Sequence, residues 1–232
     1  MALSSPVFLF LFLPVLLVLH AVMPGRGKNS LLLCASAFFY AWGDAHSLPV
    51  LGLSILGNYL FGLLLGRLTA PAKRKALLAG AVCTNLLLLV YYKYLLFIVS
   101  NLAALHLVLA QNLDFSHWHL PLGLSFFTFG AVSYLVDLYR NKNTPERSLV
   151  DLALYVALFP KIVAGPIVRY TELAQELKSR RITFENFGQG AQRFVIGLGK
   201  KVLIANPVAA MADEIFQAQG TLDMPTAWLG IL

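Results

Sequence analysis

The sequence predicts an all-α, polytopic transmembrane protein with additional re-entrant or interfacial helices, and three observations carry that expectation. Of its 232 residues, 58% are hydrophobic and only 12% are charged, roughly half the ~25% charged fraction of a soluble domain. The stretches Leu3 to Val22, Leu48 to Gly66 and Leu77 to Tyr92 contain no Asp, Glu, Lys or Arg, and each approaches or reaches the roughly 17–25 residues that a helix needs to cross a bilayer. The net charge of +7 is gathered in short groups between apolar runs, the pattern of cytoplasmic loops rather than of a continuous basic surface. Membrane lipid is therefore the expected surrounding, and nucleic acid is not an expected partner.

The first helix is expected over Leu3 to Val22. No basic region precedes it and its apolar run exceeds that of a signal peptide, so it is expected to stay attached. Pro14 is tolerable inside it if neighbours satisfy the freed carbonyl. Leu31 to Trp42 and Leu48 to Gly66 follow, separated by Gly43-Asp44-Ala45-His46. The first piece is short for a span unless it borrows residues, tilts or re-enters. Tyr40 and Trp42 suit an interface there. After a basic loop containing Arg67, Lys73, Arg74 and Lys75, an apolar run extends from Ala76 to about Ser100, with Lys93 placed to snorkel. Asn101 to His119 is mixed and reads as an interfacial helix or loop, and Leu120 to Tyr139 is another span. The positive-inside bias sets Pro24 to Asn29, Arg67 to Lys75 and Arg140 to Arg147 in the cytoplasm and the N-terminus outside.

Beyond Arg147 the pattern changes. Leu149 to Phe159 is apolar, but Pro160, Gly165 and Pro166 interrupt any continuous helix. A broken helix at membrane depth survives only where protein or a water-filled cavity covers its free backbone groups, so this stretch is expected inside the bundle or at its cytoplasmic mouth. Thr171 to Phe187 is expected to be solvated. Gly188 to about Ala212 carries Arg193, Gly197 and Lys200 on one helical face, which favours an interfacial or protein-buried helix.

Two side-chain patterns have competing readings. Gly123, Gly130, Ser133 and Asp137 share one side of their helix, which makes either a packing seam, with Asp137 paired to Arg140, or the wall of an acyl or substrate tunnel. His117 and His119 near Asp114 fall short of the three or four ligands of a metal site, so no metal is expected. His20, His46 and His106 have no visible catalytic partner, and no nucleotide-binding or nucleophile-elbow motif occurs.

The most distinctive text runs from Leu158 to Tyr170, LFPKIVAGPIVRY, a bend with a cation on either side of a Gly-Pro break. It resembles the membrane-bound O-acyltransferase family, and its alginate O-acetyltransferase branch in particular. Three further stretches match in order: Phe39 to Gly43 with Asn58-Tyr59, Leu120 to Phe129 leading to Asp137 through Arg140, and Arg193-Phe194 with Gly197 to Asn206. Lys161 and Gly130 stand where that branch carries glutamine. The resemblance implies O-acetylation of an exported polysaccharide, alginate in the first instance, in a bacterial inner membrane. The acetyl donor is expected to be acetyl-CoA or a similar cytoplasmic compound, used as substrate with no bound cofactor, and other envelope acetylation proteins are expected partners. Family members are about twice this length and carry their essential histidine in the C-terminal half. Residues 1–232 are thus expected to be an N-terminal portion, inactive alone, with no catalytic residue to assign. The expected substrate-binding residues are the cations Lys161, Arg169, Lys200 and Lys201. Another cell-envelope acceptor, such as peptidoglycan or a teichoic acid, and a transporter or channel role remain alternatives.

Overall fold

The computed structural model describes residues 3–104, 119–166, 168–180, 183–217 and 223–231. Every regular element among them is a helix, and they fall into two compact units, Met1–Arg180 and Arg181–Leu232. The readings of Asn101 to His119 lie largely outside the described residues.

In the first unit, α1 (Leu13–Val22) continues from a π turn, Phe8–Phe12, and is followed by α2 (Lys28–Asp44), α3 (Leu48–Arg67) and α4 (Pro71–Leu89). A second π turn, Val90–Tyr94, joins α4 to α5 (Leu95–Ala104); α6 (Leu124–Tyr139), α7 (Leu149–Ala157), α8 (Phe159–Ala164) and α9 (Tyr170–Lys178) complete the unit. By length and composition Leu48–Arg67 and Pro71–Asn101 are able to cross a membrane, and Phe8–Val22 and Leu124–Tyr139 are shorter apolar helices. The short apolar piece ending at Trp42 does borrow residues at both ends: α2 is 17 residues long, about 25 Å at 1.5 Å per residue.

Helix α6 is the hub, packed against α3, α4, α7, α8 and α9. Its buried side chains include Phe127, Tyr134, Leu135 and Leu138, which join Leu51 and Ile55 of α3 and the buried run Leu152 to Ala157 of α7 in one core. A second cluster gathers Phe8, Leu16, Phe39 and Phe159. Helix α7 is therefore covered by protein along most of its length, which is what the breaks on its C-terminal side require.

Prolines and helix ends are handled locally. Pro14 sits in the first turn of α1 just after the π turn, where Leu13 N–H has already reached back to the Phe8 carbonyl. A proline in a first helical turn costs no hydrogen bond. The C-terminus of α6 is capped by Arg74, whose guanidinium donates to the carbonyls of Leu138 and Tyr139, both at 3.2 Å, and to Asn141 Oδ1 at 2.8 Å. One residue of the expected basic loop thus neutralises a helix end.

Two expectations change. Tyr40 is not at an interface but fully buried, whereas Trp42 is exposed. Residues 171–178 are not simply solvated: α9 packs on α6 and α7, burying Tyr170 and Leu177.

The second unit holds α10 (Phe184–Lys200), a π turn at Lys201–Ala205, α11 (Asn206–Gln217) and α12 (Met224–Ile231). Helix α10 starts at Thr183, whose hydroxyl accepts from Asn186 N–H. The run Phe184–Gln217 is also long and apolar enough to cross a membrane. As at Pro14, Pro207 follows a π turn, closed here by Asn206 N–H donating to the Lys201 carbonyl. Gly230 of α12 lies against Ile215 of α11.

Candidate functional site

Leu158 takes an extended backbone angle, ψ 120°, and Pro160, which has no N–H to continue α7, sits instead in the first turn of α8. The break leaves the last carbonyls of α7 without helical donors. Lys161 supplies one: its Nζ, on a residue only 6% exposed, donates to the Tyr155 carbonyl at 2.7 Å and lies 3.4 Å from the centroid of the Tyr155 ring. The Tyr155 hydroxyl is 2.9 Å from the Val168 carbonyl and 3.3 Å from that of Gly130, so it ties the segment after the Gly165-Pro166 break to α6. Ser36 on α2 accepts from Phe159 N–H at 3.2 Å. Every polar group freed by the bend that these contacts reach is satisfied by protein, as burial demands.

The small and polar side of α6 faces this bend. A Cβ on Gly130 would come within 3.5 Å of Lys161 Nζ, and Gly123 adopts φ +67° where a side chain would strike Ile162 of α8. The seam is thus a close approach of helices. Asp137, buried on the same side, is not ion-paired to Arg140; its Oδ2 has no hydrogen-bond partner.

Next to the bend stands a carboxylate node that the sequence did not disclose. Glu146, between α6 and α7, accepts from Lys178 Nζ at 2.7 Å, from the Tyr170 hydroxyl, and from the backbone N–H groups of Arg147 and Ser148 at 2.9 and 3.0 Å. Its own N–H donates to the Tyr134 hydroxyl at 3.1 Å. Burial alone would raise its carboxyl, but these donors outweigh burial and hold it below the ordinary value of 4.5. Tyr134 and Tyr155 both stack edge-on against Tyr170, so node and bend share one aromatic wall.

Two further polar groups mark the two ends of α2. At its start Asn29 donates to Asp151 Oδ1 at 2.6 Å and accepts from Arg180 at 2.6 Å. At its end Asp44 accepts from Ser47 N–H at 3.1 Å and Leu122 N–H at 3.0 Å, and lies 3.1 Å from His119 Nε2. His119 thus pairs with Asp44; its sequence neighbours Asp114 and His117 lie outside the described residues.

Of the four expected substrate-binding cations, Lys161 and Arg169 belong to the first unit and Lys200 and Lys201 to the second. Lys161 is committed to the bend. Arg169 is exposed, and its carbonyl heads α9 by accepting from Glu172 and Leu173 N–H. Lys200 ends α10 and Lys201 opens the following π turn, both in the second unit. Among the described residues no group of three His, Cys, Asp or Glu side chains is placed to hold a metal. What sequence reasoning missed is the set Asn29, Glu146, Asp151, Lys178 and Arg180. Only the Lys28-Asn29 pair after Gly25-Arg26-Gly27, a helix start beside a basic loop, offered a local signal.

No family model matches the chain, and no solved structure matches it. Among curated proteins it is 40% identical over 239 residues to the probable alginate O-acetylase AlgI of Pseudomonas putida, a match of 100% of this chain and 48% of that protein. It is also 40% identical over 238 residues to the corresponding protein of Pseudomonas aeruginosa, covering 100% and 45%. A peptidoglycan O-acetyltransferase of Helicobacter pylori is 30% identical over 258 residues, covering 97% of this chain and 48% of that protein. The chain spans about half the length of the curated relatives it matches.

Proposed function

Because the chain belongs to the membrane-bound O-acyltransferase family, on its alginate O-acetylase side, we propose that it forms the N-terminal portion of an enzyme that O-acetylates an exported polysaccharide. The single observation that carries this reading is the 40% identity to alginate O-acetylases along the whole chain. It lies in the bacterial inner membrane as a multi-pass protein with its basic loops in the cytoplasm. The donor is acetyl-CoA or a similar cytoplasmic acetyl compound, and alginate is the acceptor that the relatives favour.

In this reading a histidine beyond Leu232 takes the proton of an acceptor hydroxyl while its oxygen attacks the acetyl carbonyl, and the thiol leaves with a proton. The described helices hold donor and acceptor in line and keep water out. Supporting this role, the α7–α8 break is buried against α6 rather than set toward lipid. Arg169 of the first unit and Lys200 and Lys201 of the second are the cations available to an anionic donor, while Lys161 supports the wall of the first unit. A second acceptor, peptidoglycan, is supported by the Helicobacter pylori relative.

The test is complementation of an alginate-producing host that lacks its own acetylase, with acetyl esters read by NMR of the secreted polymer. Full-length protein restores them and residues 1–232 alone do not. Acetylated muropeptides with unmodified alginate would move the acceptor to peptidoglycan. Solute flux in vesicles without any acetyl ester would refute the reading.

A further inference from the structure

A cavity of about 680 Å³ opens where the start of α2, the start of α7 and the end of α9 meet, and Lys28, Asn29, Ser148, Asp151, Lys178 and Arg180 line it. Three of these side chains are cations and one is a carboxylate. Asp151 does not offset them freely, because its Oδ1 already receives Asn29 Nδ2 at 2.6 Å.

The arginine is built into the wall. Its guanidinium donates to Asn29 Oδ1 at 2.6 Å and stands 3.3 Å from His20 Nε2. Asn29 is itself fixed by the Leu177 carbonyl at 3.1 Å. An amide and an imidazole orient this cation, and Asp151 and Glu176 carry the opposing charge near it. A guanidinium has five N–H donors in a planar fork, so most of its capacity is left for a ligand. Lys178 Nζ spends one contact on Glu146, and its side chain is 55% exposed. The amino end of α2 adds to the positive potential: Lys28, Asn29 and Ser30 line the cavity, and no side chain caps that turn. Helix α7 meets the same cavity with its first turn closed by Ser148, whose hydroxyl accepts from Asp151 N–H.

Like charges gathered on one wall repel one another, and a bound anion turns that repulsion into attraction. A guanidinium fork and two ammonium groups hold more N–H donors than their contacts with Asn29, His20 and Glu146 use, which matches the several oxygens of a phosphate or diphosphate. The volume is within the range of small-molecule sites. We propose that this pocket is a phosphate-binding site, occupied by the phosphates of a soluble nucleotide-like compound or by those of an anionic lipid headgroup. The proposal extends the acetyl-transfer reading, and its test is binding rather than turnover, so the two stand or fall separately.

The purified protein is placed in phosphatidylcholine nanodiscs and titrated with coenzyme A and with pyrophosphate. Nanodiscs containing phosphatidylglycerol, with co-purified lipid measured by mass spectrometry, form the second arm. Arg180→Gln and Lys28→Gln should each weaken the occupant at least about tenfold, the loss of one charge-assisted hydrogen bond. Lys73→Gln, the same charge change on exposed α4 away from this pocket, should leave binding unchanged. Arg180→Lys, read alongside monodisperse elution, separates lost binding from lost folding: it should keep part of the affinity. Coenzyme A binding that pyrophosphate displaces assigns a soluble source; retention of phosphatidylglycerol that Arg180→Gln abolishes assigns the lipid. Absence of both, or equal binding by parent, Arg180→Gln and Lys28→Gln, overturns the site.

Discussion

Replacing Gly123 by alanine is the sharpest test of how α6 meets the bend. Gly123 precedes α6 with φ +67°, a conformation that costs an L-residue roughly 1–2 kcal/mol. An added Cβ would lie 2.9 Å from Ile162 Cγ1 and closer still to the Ile162 carbonyl oxygen. A backbone atom at the start of α6 or in α8 must then shift, at a cost typical of overpacking, about 1–3 kcal/mol. Together the two effects amount to roughly 2–5 kcal/mol, which for a soluble domain of this size corresponds to a melting point lower by roughly 4–20 °C. The assay is thermal unfolding in mild detergent followed by circular dichroism. Gly52→Ala is the internal control, since a Cβ there meets nothing within 4 Å on the exposed side of α3, and it should be neutral or slightly stabilising. If Gly123→Ala melts with the parent, the left-handed turn against α8 is wrong.

Lys161→Met should fold, within about 2 kcal/mol of the parent, because the lost hydrogen bond and ring contact are offset by no longer burying a cation; Lys161→Ala, which also empties the site, should cost about 2–5 kcal/mol, and denaturant unfolding that ranks alanine above methionine would contradict this. Glu146 is held below its ordinary value, so its contribution to stability is complete above about pH 4.5 and is lost as pH falls through the depressed value. Melting of Glu146→Gln between about pH 3 and 6 should therefore show a smaller acid-side decline than the parent; parallel curves would dismiss the node. Asn58 and Asn85 exchange amide bonds of 2.8 and 3.1 Å between α3 and α4. Asn58→Leu should cost about 1–3 kcal/mol by stranding its partner, whereas Asn58→Leu with Asn85→Leu should recover most of it. A double variant no more stable than the single one would mean that the pair is not coupled.

The long helices and the broken segment were legible in the sequence because both are written locally, in unbroken apolar runs and in Pro160, Gly165 and Pro166. The seam of Gly123, Gly130, Ser133 and Asp137 was legible from spacing alone. Its contents were not: Asp137 looks like a partner for Arg140 in sequence, yet the fold turns it inward. Lys161 reads as a ligand-binding cation because its actual acceptor is a backbone carbonyl, which leaves no trace in the text. Glu146 was invisible for a different reason. Its donors come from residues 134, 147, 148, 170 and 178, and only packing α9 onto α6 and α7 brings them together. The family, by contrast, was readable from four ordered motifs, since whole-chain similarity does not depend on knowing what each residue touches.

The π turn before Pro14 ties two kinds of genetic change together. Such a turn holds one residue more than the α-helix it interrupts, so removing a residue from Phe8–Phe12 restores plain α-helical winding. The ring of the proline then meets the carbonyl four residues before it. Substituting Pro14 by alanine alone leaves a surplus residue with nothing to accommodate. Each lesion should impair the protein more than the two combined, which makes this helix a place where a deletion and a substitution suppress one another. A selection for restored folding in a library carrying the single-residue deletion should return changes at position 14.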